Sequence, residues 1–236
     1  MPLDKQASIV ITAYDWVPDF ARGLVRDLRV RWALEEAGLD YRVDYLPQGT
    51  QKMPPHRQRQ PFGQVPTYEE GDLKLFESGA ILLHIADHAP GLLPPGSNGR
   101  AKAAQWVIAA LNSVEPPLSE WAIATIFEAD KAWSLPRKPS IRERIEERLA
   151  ELSARLGSDE WLEGEFCVGD VMMIAVLQMV SGELTDMFDR YPNLAEYRAR
   201  GEARPAYRRA LKDHMEGFTG NPPPGWNQDQ EKDTKS

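Results

Sequence analysis

The sequence predicts an α/β domain at the amino end of the chain, followed by an all-helical domain. Three observations predict this. In residues 1–88, apolar strand-like runs alternate with helical periodicity. Residues 89–99 are dense in proline and glycine, which is typical of an interdomain linker. Apolar residues then recur at helical spacing through residues 100–216, and the polar, proline-containing residues 217–236 predict a flexible tail.

The first domain reads as β-α-β, a polar loop, and then β-β-α. Residues 8–14 (SIVITAY) predict a strand buried on both faces, and residues 41–46 alternate as a half-exposed strand does. A helix is expected over residues 22–37, with Gly38 as its C-cap. Residues 47–60 form a long polar loop, which is more typical of a ligand-side flap than of a core element.

The second domain is expected to contain only helices. Residues 100–111 predict a helix that is interrupted or bent at Pro116-Pro117. Residues 141–156 carry one apolar stripe, and residues 171–180 (VMMIAVLQMV) are apolar on all sides, which predicts the central buried helix. Two shorter helices begin near prolines, over residues 192–200 and 205–215.

Composition excludes several classes of protein. The chain has 236 residues, is 42% apolar and 27% charged, and carries a net charge of -8 without a long basic run. A general binder of nucleic acid or of anionic membranes would need clustered Lys and Arg. The single cysteine, Cys167, excludes an internal disulfide framework and a multi-cysteine metal site. We see neither a signal peptide nor an apolar run of membrane-spanning length, so the cytoplasm is the expected compartment.

The most informative stretch is PFGQVPTYEEGDLKLFESGAILLHIAD, residues 61–87. An X-Pro bond has a low cis penalty, so Val65-Pro66 could turn the Val65 backbone outward. Ser78 stands where the next helix begins, and its hydroxyl and the first free N–H groups of that helix would form an anion site. The alternative interpretation is a strand started by proline and an ordinary helix cap.

This stretch resembles the glutathione-binding segment of the cytosolic glutathione S-transferase family, through Gln64-Val65-Pro66 and, after a short hairpin, FESGAI. Three further segments are similar to helices of that family: RVRWALEEAG, EFCVGDVMMIA and YPNLAEYRARGEARPAYRRA. The resemblance covers residues 8–216. It implies a thioredoxin-like first domain, glutathione as cosubstrate, a small hydrophobic electrophile as second substrate, a homodimer, and a role in detoxification.

The resemblance also implies how glutathione is held. The backbone of Val65 would pair with the cysteinyl unit, and Pro66 would fix the corner in cis. Ser78 would bind the γ-glutamyl carboxylate and Glu77 its ammonium group, and Gln64 would add a polar contact.

The glycine carboxylate of glutathione needs a cation from the flap. We choose Lys52 ahead of His56, Arg57 and Arg59. For each of these residues the alternative is a solvated basic loop.

Thiol activation is where the chain departs from the family pattern. Only the thiolate is a good nucleophile, so a donor must face the sulfur. Different classes of the family use Ser, Cys or Tyr, and the alignment puts Leu24, five residues before Arg29, where Ser or Cys would stand. We expect Tyr14 to donate to the thiol and Arg22 to supply positive field. The alternative is that Tyr14 is a packing residue and that Arg22 lies in a salt bridge.

Other donors stay open. Trp16 lies in the loop DWVPD and is a further candidate at the glutathione site, and a backbone N–H of that loop or of a helix N-terminus could serve instead. We expect the electrophile pocket between Trp16, the bend at residues 112–121 and the C-terminal helices. A non-catalytic binding or interaction module on the same fold is the alternative function, and the Leu24 departure favours it.

Two further groups of residues are given structural interpretations. His84 and His88 have the i, i+4 spacing of a helical metal pair but lack a third ligand in a motif, so no metal site is predicted. Asp170 should close a capping box at the start of the buried helix, with Cys167 in the cap position where the family usually has Ser or Thr. A buried structural cysteine is favoured over a reactive thiol.

Overall fold

A computed structural model describes residues 3–226 of the chain. It divides into two compact units. One contains the described residues up to Pro90 together with those from Arg204 onward, and the other runs from Gly91 to Ala203. Each unit is built around its own buried apolar residues.

The first unit contains a four-stranded sheet in the order β2-β1-β3-β4. Strands β1 and β2 are parallel, whereas β3 is antiparallel to both β1 and β4. The strands are β1 Ile9–Tyr14, β2 Tyr41–Leu46, β3 Thr67–Glu70 and β4 Leu73–Phe76, and the helices between and after them are α1 Asp27–Ala37, α2 Pro54–Arg57 and α3 Ser78–His88. The predicted thioredoxin-like order is confirmed, with a helical region after it.

The parallel pair β1 and β2 follows from the short helical crossover between them. Ile9, Ile11 and Ala13 are buried on β1, and its register with β2 runs from Ile9 opposite Tyr41 to Tyr14 opposite Leu46. The C-cap of α1 is Gly38, with φ at 66° and its N–H bonded to the Leu34 carbonyl. That left-handed conformation is the one that glycine adopts at low cost.

The start of α1 was predicted wrongly. The helix begins at Asp27 rather than Arg22, because a short 3-10 turn over Asp19–Ala21 and further turns precede it. Gly23 has φ at 81°, which no right-handed helix accommodates. Leu24 is 39% exposed and does not lie on the inner side of a helix.

The second unit is helical, as predicted. Its helices are α4 Gly99–Ala109, α5 Glu115–Ala122, α6 Ser134–Leu156, α7 Val168–Leu177, α8 Met187–Arg190 and α9 Pro192–Glu202. A π-helical segment at Ala110–Val114 joins α4 to α5, directly before Pro116-Pro117. Proline lacks an N–H and clashes with the carbonyl four residues earlier, which explains the break in regular helix there.

Helices α6 and α7 supply the apolar core of this unit. The predicted stripe of α6 is buried, although the helix begins at Ser134 rather than at Ile141. Every residue of α7 is buried. Asp170 accepts the Cys167 N–H at 2.9 Å and so closes the predicted capping box. Cys167 is buried and unpaired, and its pKa is raised to about 12 by burial and then by the negative charge of Asp170.

The last helix, α10 Pro205–Glu216, packs on α1 in the first unit. The sequence placed these residues in the helical domain. Trp32 and Tyr207 meet edge to face at 4.9 Å, and Arg204 forms a two-bond ion pair with Glu36 at 2.6 and 2.8 Å. The α10 helix therefore covers an α1 surface that periodicity alone could not match to it.

The first part of the predicted flexible tail is packed. Residues 217–226 pack on the first unit, where the Gly220 N–H donates to the Asp15 carbonyl at 2.8 Å. The rest of the predicted tail, residues 227–236, lies outside the described residues. Among residues 3–226, no single helix is long and apolar enough to cross a membrane. The segments Val168–Leu177 and Gly182–Arg190 together have the length and apolar composition of a membrane span, but they are bent by 108° relative to each other.

Candidate functional site

The corner at Val65-Pro66 has the geometry that the sequence predicted. The Val65-Pro66 peptide bond is cis, and the β3 ladder begins only at Thr67. The backbone N–H and C=O of Val65 therefore lie outside the sheet ladder. Val65 itself is 7% exposed, whereas Gln64 is exposed.

Two side chains that the sequence did not single out for this role clamp the corner. His56 Nε2 lies 2.7 Å from the Gln64 carbonyl oxygen, and Gln60 Oε1 accepts the Gln64 N–H at 3.3 Å. His56 and Gln60 are each 2% exposed. His56 was a lesser candidate for the glycine carboxylate, but its ring nitrogen is engaged with the backbone of the corner instead.

The start of α3 is the second part of the site. Glu77 precedes the helix with φ at 68° and ψ at 113°, and it makes no side-chain cap hydrogen bond. A non-glycine residue in this region stores about 1–3 kcal/mol of strain, and such residues cluster at functional sites. Ser78 is the first helical residue and is 5% exposed. The first N–H groups of α3 thus lack a side-chain cap and are suited to an anion.

Among the predicted cations of the flap, Lys52 lies against the corner. Its Nζ donates to the Phe62 carbonyl at 3.2 Å, and a Cβ built on Gly63 would come within 2.9 Å of Lys52 Cδ. Arg59 is already paired, at 3.0 Å with Asp44 and 3.1 Å with Glu69. Lys52 therefore remains the better placed of these two for a second carboxylate.

The end of β1 carries the predicted thiol donor. Tyr14 is half-buried, and burial followed by the negative charge of Asp27 raises its pKa above the ordinary value of a phenol. A tyrosine with a raised pKa keeps its proton at neutral pH and can donate it in a hydrogen bond. The sequence pattern gave no sign of this pairing with Asp27.

Arg22 and Trp16 both contact the C-terminal segment. The Nε of Arg22 is 3.4 Å from Asp19 Oδ1, as the salt-bridge alternative expects, and its guanidinium lies 5.6 Å from the centre of the Phe218 ring. Trp16 is 9% exposed and meets Trp226 edge to face at 5.2 Å. The aromatic residues of the tail were the signal in the sequence that this segment packs.

The strand pairing brings these parts of the candidate site to the same end of the sheet. The antiparallel register of β1 and β3, with Ile11 opposite Tyr68, places Tyr14 and the corner before Thr67 at the same end of the sheet. The register of β3 and β4 pairs Thr67 with Phe76, so α3 also begins at that end. Neighbouring strands are about 4.8 Å apart, so the three parts span roughly 10 Å across the sheet.

Comparison with known proteins gives the family. The model of the glutathione S-transferase N-terminal domain matches residues 11–87. Glutathione S-transferase 4 of Zea mays is 30% identical over 214 residues, which cover 85% of this chain and 91% of that protein. The chain belongs to the glutathione S-transferase family. Glutathione S-transferase F10 of Arabidopsis thaliana is 33% identical over 144 residues, covering 56% of this chain and 66% of that protein.

Solved structures share the fold of this chain. A glutathione transferase family member from Pseudomonas fluorescens, crystallised with two glutathione bound, has a TM-score of 0.77 and 23% identity over 89% of this chain and 95% of its own. Glutathione transferase F2 from Populus trichocarpa has a TM-score of 0.75 and 20% identity, over 88% and 99%.

Within residues 3–226, no group of three or more His, Cys, Asp or Glu side chains could hold a metal ion. His84 and His88 stack edge to face at 4.8 Å, and His84 also lies against Tyr68. This pair therefore packs within the first unit.

Proposed function

We propose that this protein is a glutathione transferase that binds glutathione at one end of its sheet and activates the thiol for attack on a small hydrophobic electrophile. The observation that carries the proposal is the meeting, at one end of the sheet, of the Val65 corner, the uncapped start of α3 and Tyr14. One tripeptide has a matching set of groups: a carboxylate and an ammonium at one end, a peptide backbone in the middle and a carboxylate at the other end.

Each group of glutathione has a proposed partner. The γ-glutamyl carboxylate lies at the N-terminus of α3, where the helix dipole and the Ser78 hydroxyl favour it, and the exposed Glu77 carboxylate faces the ammonium. The backbone of Val65 pairs with the cysteinyl unit, and Gln64 is exposed beside it. Lys52 takes the glycine carboxylate.

Activation requires that the proton leave the thiol at neutral pH. A free thiol has a pKa of about 8.5, so a hydrogen bond to the thiolate must lower it. The neutral phenol of Tyr14 donates that bond, and the Arg22 guanidinium contributes positive field. The thiol proton passes to solvent, and the thiolate sulfur forms a bond to the electrophilic carbon while the bond from that carbon to the leaving group breaks, so that an activated aryl chloride releases chloride with the bonding electron pair. Trp226, which packs on the buried Trp16, offers an apolar surface beside the loop for the second substrate.

A non-catalytic glutathione-binding module is the second candidate. Leu24 is 39% exposed and has no donor to offer at the position where Ser or Cys serves in other classes. Titration calorimetry with reduced glutathione, followed by turnover of an activated aryl chloride, separates the two. Binding with turnover supports the transferase, and binding without turnover supports the module. Neither binding nor turnover would reject both.

We further propose that the protein is a cytoplasmic homodimer. Phe62 is 62% exposed and Met53 57% exposed, and Phe62 meets Phe76 at 6.2 Å, which makes an apolar patch suited to a second copy of the chain. A Phe62→Ser variant should reduce the dimer fraction in light scattering, whereas Phe127→Ser, at a residue 66% exposed in the other unit, should not. A free buried cysteine is compatible with a reducing compartment.

A further inference from the structure

His214, in the last turn of α10, is buried and has both ring nitrogens engaged. The Gly23 N–H donates to its Nε2 at 3.3 Å, and its Nδ1 lies 3.1 Å from Asp27 Oδ2. A backbone N–H can only donate, so Nε2 is the acceptor. The ring proton on Nδ1 is therefore donated to Asp27. His214 is 2% exposed, so water does not replace these partners readily.

Asp27 is held in turn by Arg31. Arg31 Nε donates to the same Asp27 oxygen, Oδ2, at 2.8 Å, and both side chains are 1% exposed. Removing one partner of such a buried ion pair strongly destabilises the folded protein, because the other charge is left buried and unpaired. The Asp27 carboxylate is thus a fixed acceptor, which sets the orientation of the His214 ring.

Two contacts connect His214 to Arg22. One runs through the backbone, because Arg22 directly precedes Gly23. The other runs through Phe218, whose ring meets the imidazole edge to face at 4.8 Å and has the Arg22 guanidinium at 5.6 Å from its centre. Backbone hydrogen bonds within this loop, such as those from the Arg22 N–H to the Asp19 carbonyl and from the Leu24 N–H to the Ala21 carbonyl, form its local turns. These bonds do not join the loop to another element.

We propose that His214 is a positioning residue for thiol activation, holding the loop at Gly23 so that Arg22 stays beside the thiol. This inference rests on the proposed function, in which Arg22 supplies positive field. Gly23 has φ at 81°, and a Cβ added to it would lie 3.7 Å from Leu211 Cδ1. The loop at Gly23 therefore packs against α10, the helix that carries His214.

Two substitutions separate the two ring contacts. In His214→Gln the amide reaches the place of Nε2 and can accept the Gly23 N–H, but the bond to Asp27 is lost. In His214→Asn the amide takes the place of Nδ1 and keeps the bond to Asp27, but nothing reaches Gly23. The two substitutions should therefore have different effects: His214→Asn should reduce activity more, and His214→Gln should reduce stability more.

We expect His214→Asn to lower kcat about tenfold, the effect of one lost hydrogen bond, with the KM for glutathione unchanged. His214→Gln should keep kcat near that of the wild type while lowering the melting temperature more than His214→Asn does. If activity instead follows stability, so that His214→Gln is the less active variant, His214 is merely structural and the proposal is overturned.

Amide hydrogen exchange at Gly23 provides a readout that does not depend on activity. Protection should be lost in His214→Asn and kept in His214→Gln, and equal protection in both would overturn the contact. A wild-type chain without glutathione binding or turnover would overturn the proposed function and the positioning role, while Gly23 protection would still report the contact. If neither His214 variant folds, Phe218→Leu should lower kcat with an unchanged KM, and an unchanged kcat would count against the proposal.

Discussion

Thr12 and Thr67 join β1 to β3 at the residue pair nearest the candidate site. The Thr67 N–H donates to Thr12 Oγ1 at 2.8 Å, and the two hydroxyl oxygens are 3.1 Å apart. Both side chains are 1% exposed. This contact holds the end of β1, where Tyr14 lies, against the cis corner at Pro66.

Removing the Thr12 hydroxyl should weaken the contact between β1 and β3 and lower the free energy of unfolding. Thr12→Val leaves the buried Thr67 N–H without an acceptor, which costs about 1–3 kcal/mol of unfolding free energy. Thr67→Val keeps its own N–H bond to Thr12 and should cost less. Urea unfolding of both variants checks the order. Equal losses would show that the hydroxyl pair, rather than the N–H bond, holds the strands.

Ser78 should contribute to glutathione affinity. A hydrogen bond to a charged group contributes about 1.5–3 kcal/mol, so Ser78→Ala should raise the Kd for glutathione about tenfold or more. Ser158→Ala, at an exposed serine of the helical unit, is the matched control and should bind as the wild type does. An unchanged Kd in Ser78→Ala would remove the α3 terminus from the site.

Tyr14→Phe tests the thiol donor. The pKa of Tyr14 is raised, so its phenol stays protonated through neutral pH and donates across that range. Without it the thiol of bound glutathione should titrate about one pH unit higher, since one unit corresponds to roughly 1.4 kcal/mol. The acid limb of the kcat/KM profile should move up accordingly. If the limb stays in place, a backbone N–H of the loop becomes the better candidate.

Asp27→Asn should be among the most destabilising single changes in the first unit. It leaves Arg31 buried without its partner, which costs about 3–5 kcal/mol. Burial alone would raise the pKa of Asp27, but His214 and Arg31 outweigh it and lower the pKa below its usual 3.8. The charged Asp27 carboxylate therefore stabilises the fold at pH values above its ordinary pKa, and this stabilisation is lost as pH falls through the lowered pKa of the folded state.

Unfolding free energies measured from pH 7 down to pH 3 check this dependence. The gap between wild type and Asp27→Asn should be widest at neutral pH and should narrow as the pH approaches the lowered pKa. Asp40→Asn, at an exposed carboxylate, should show little loss at any pH. A constant gap across the range would mean that the charge of Asp27 is not what stabilises the fold.

Cys167 should be unreactive in the folded chain. Burial, and then the charge of Asp170, raises its pKa to about 12, so very little thiolate forms near pH 8. Iodoacetamide followed by mass spectrometry should label Cys167 only after unfolding. Rapid labelling of the native chain would show that the capping box opens.

The predicted glutathione segment and the predicted thiol donor differ in how far the sequence could specify them. The segment around Val65 and Ser78 is local, because a corner, a hairpin and a helix start follow one another within a few residues. Thiol activation depends on what surrounds the β1–α1 loop, and that surrounding comes from the other end of the chain. The wrong start of α1 has the same origin, since Gly23 adopts its left-handed conformation against α10.

The sequence by itself determined the order of strands and helices, the corner at Pro66, the Gly38 cap and the buried stripe of α6. These features depend on steric limits and on periodicity over a few residues. Only the tertiary structure decided that α10 packs on α1 and that His214 holds Gly23, a contact between residues 191 positions apart. Periodicity shows which face of a helix is buried, but the partner of that face is set by complementary shape and charge across the folded chain.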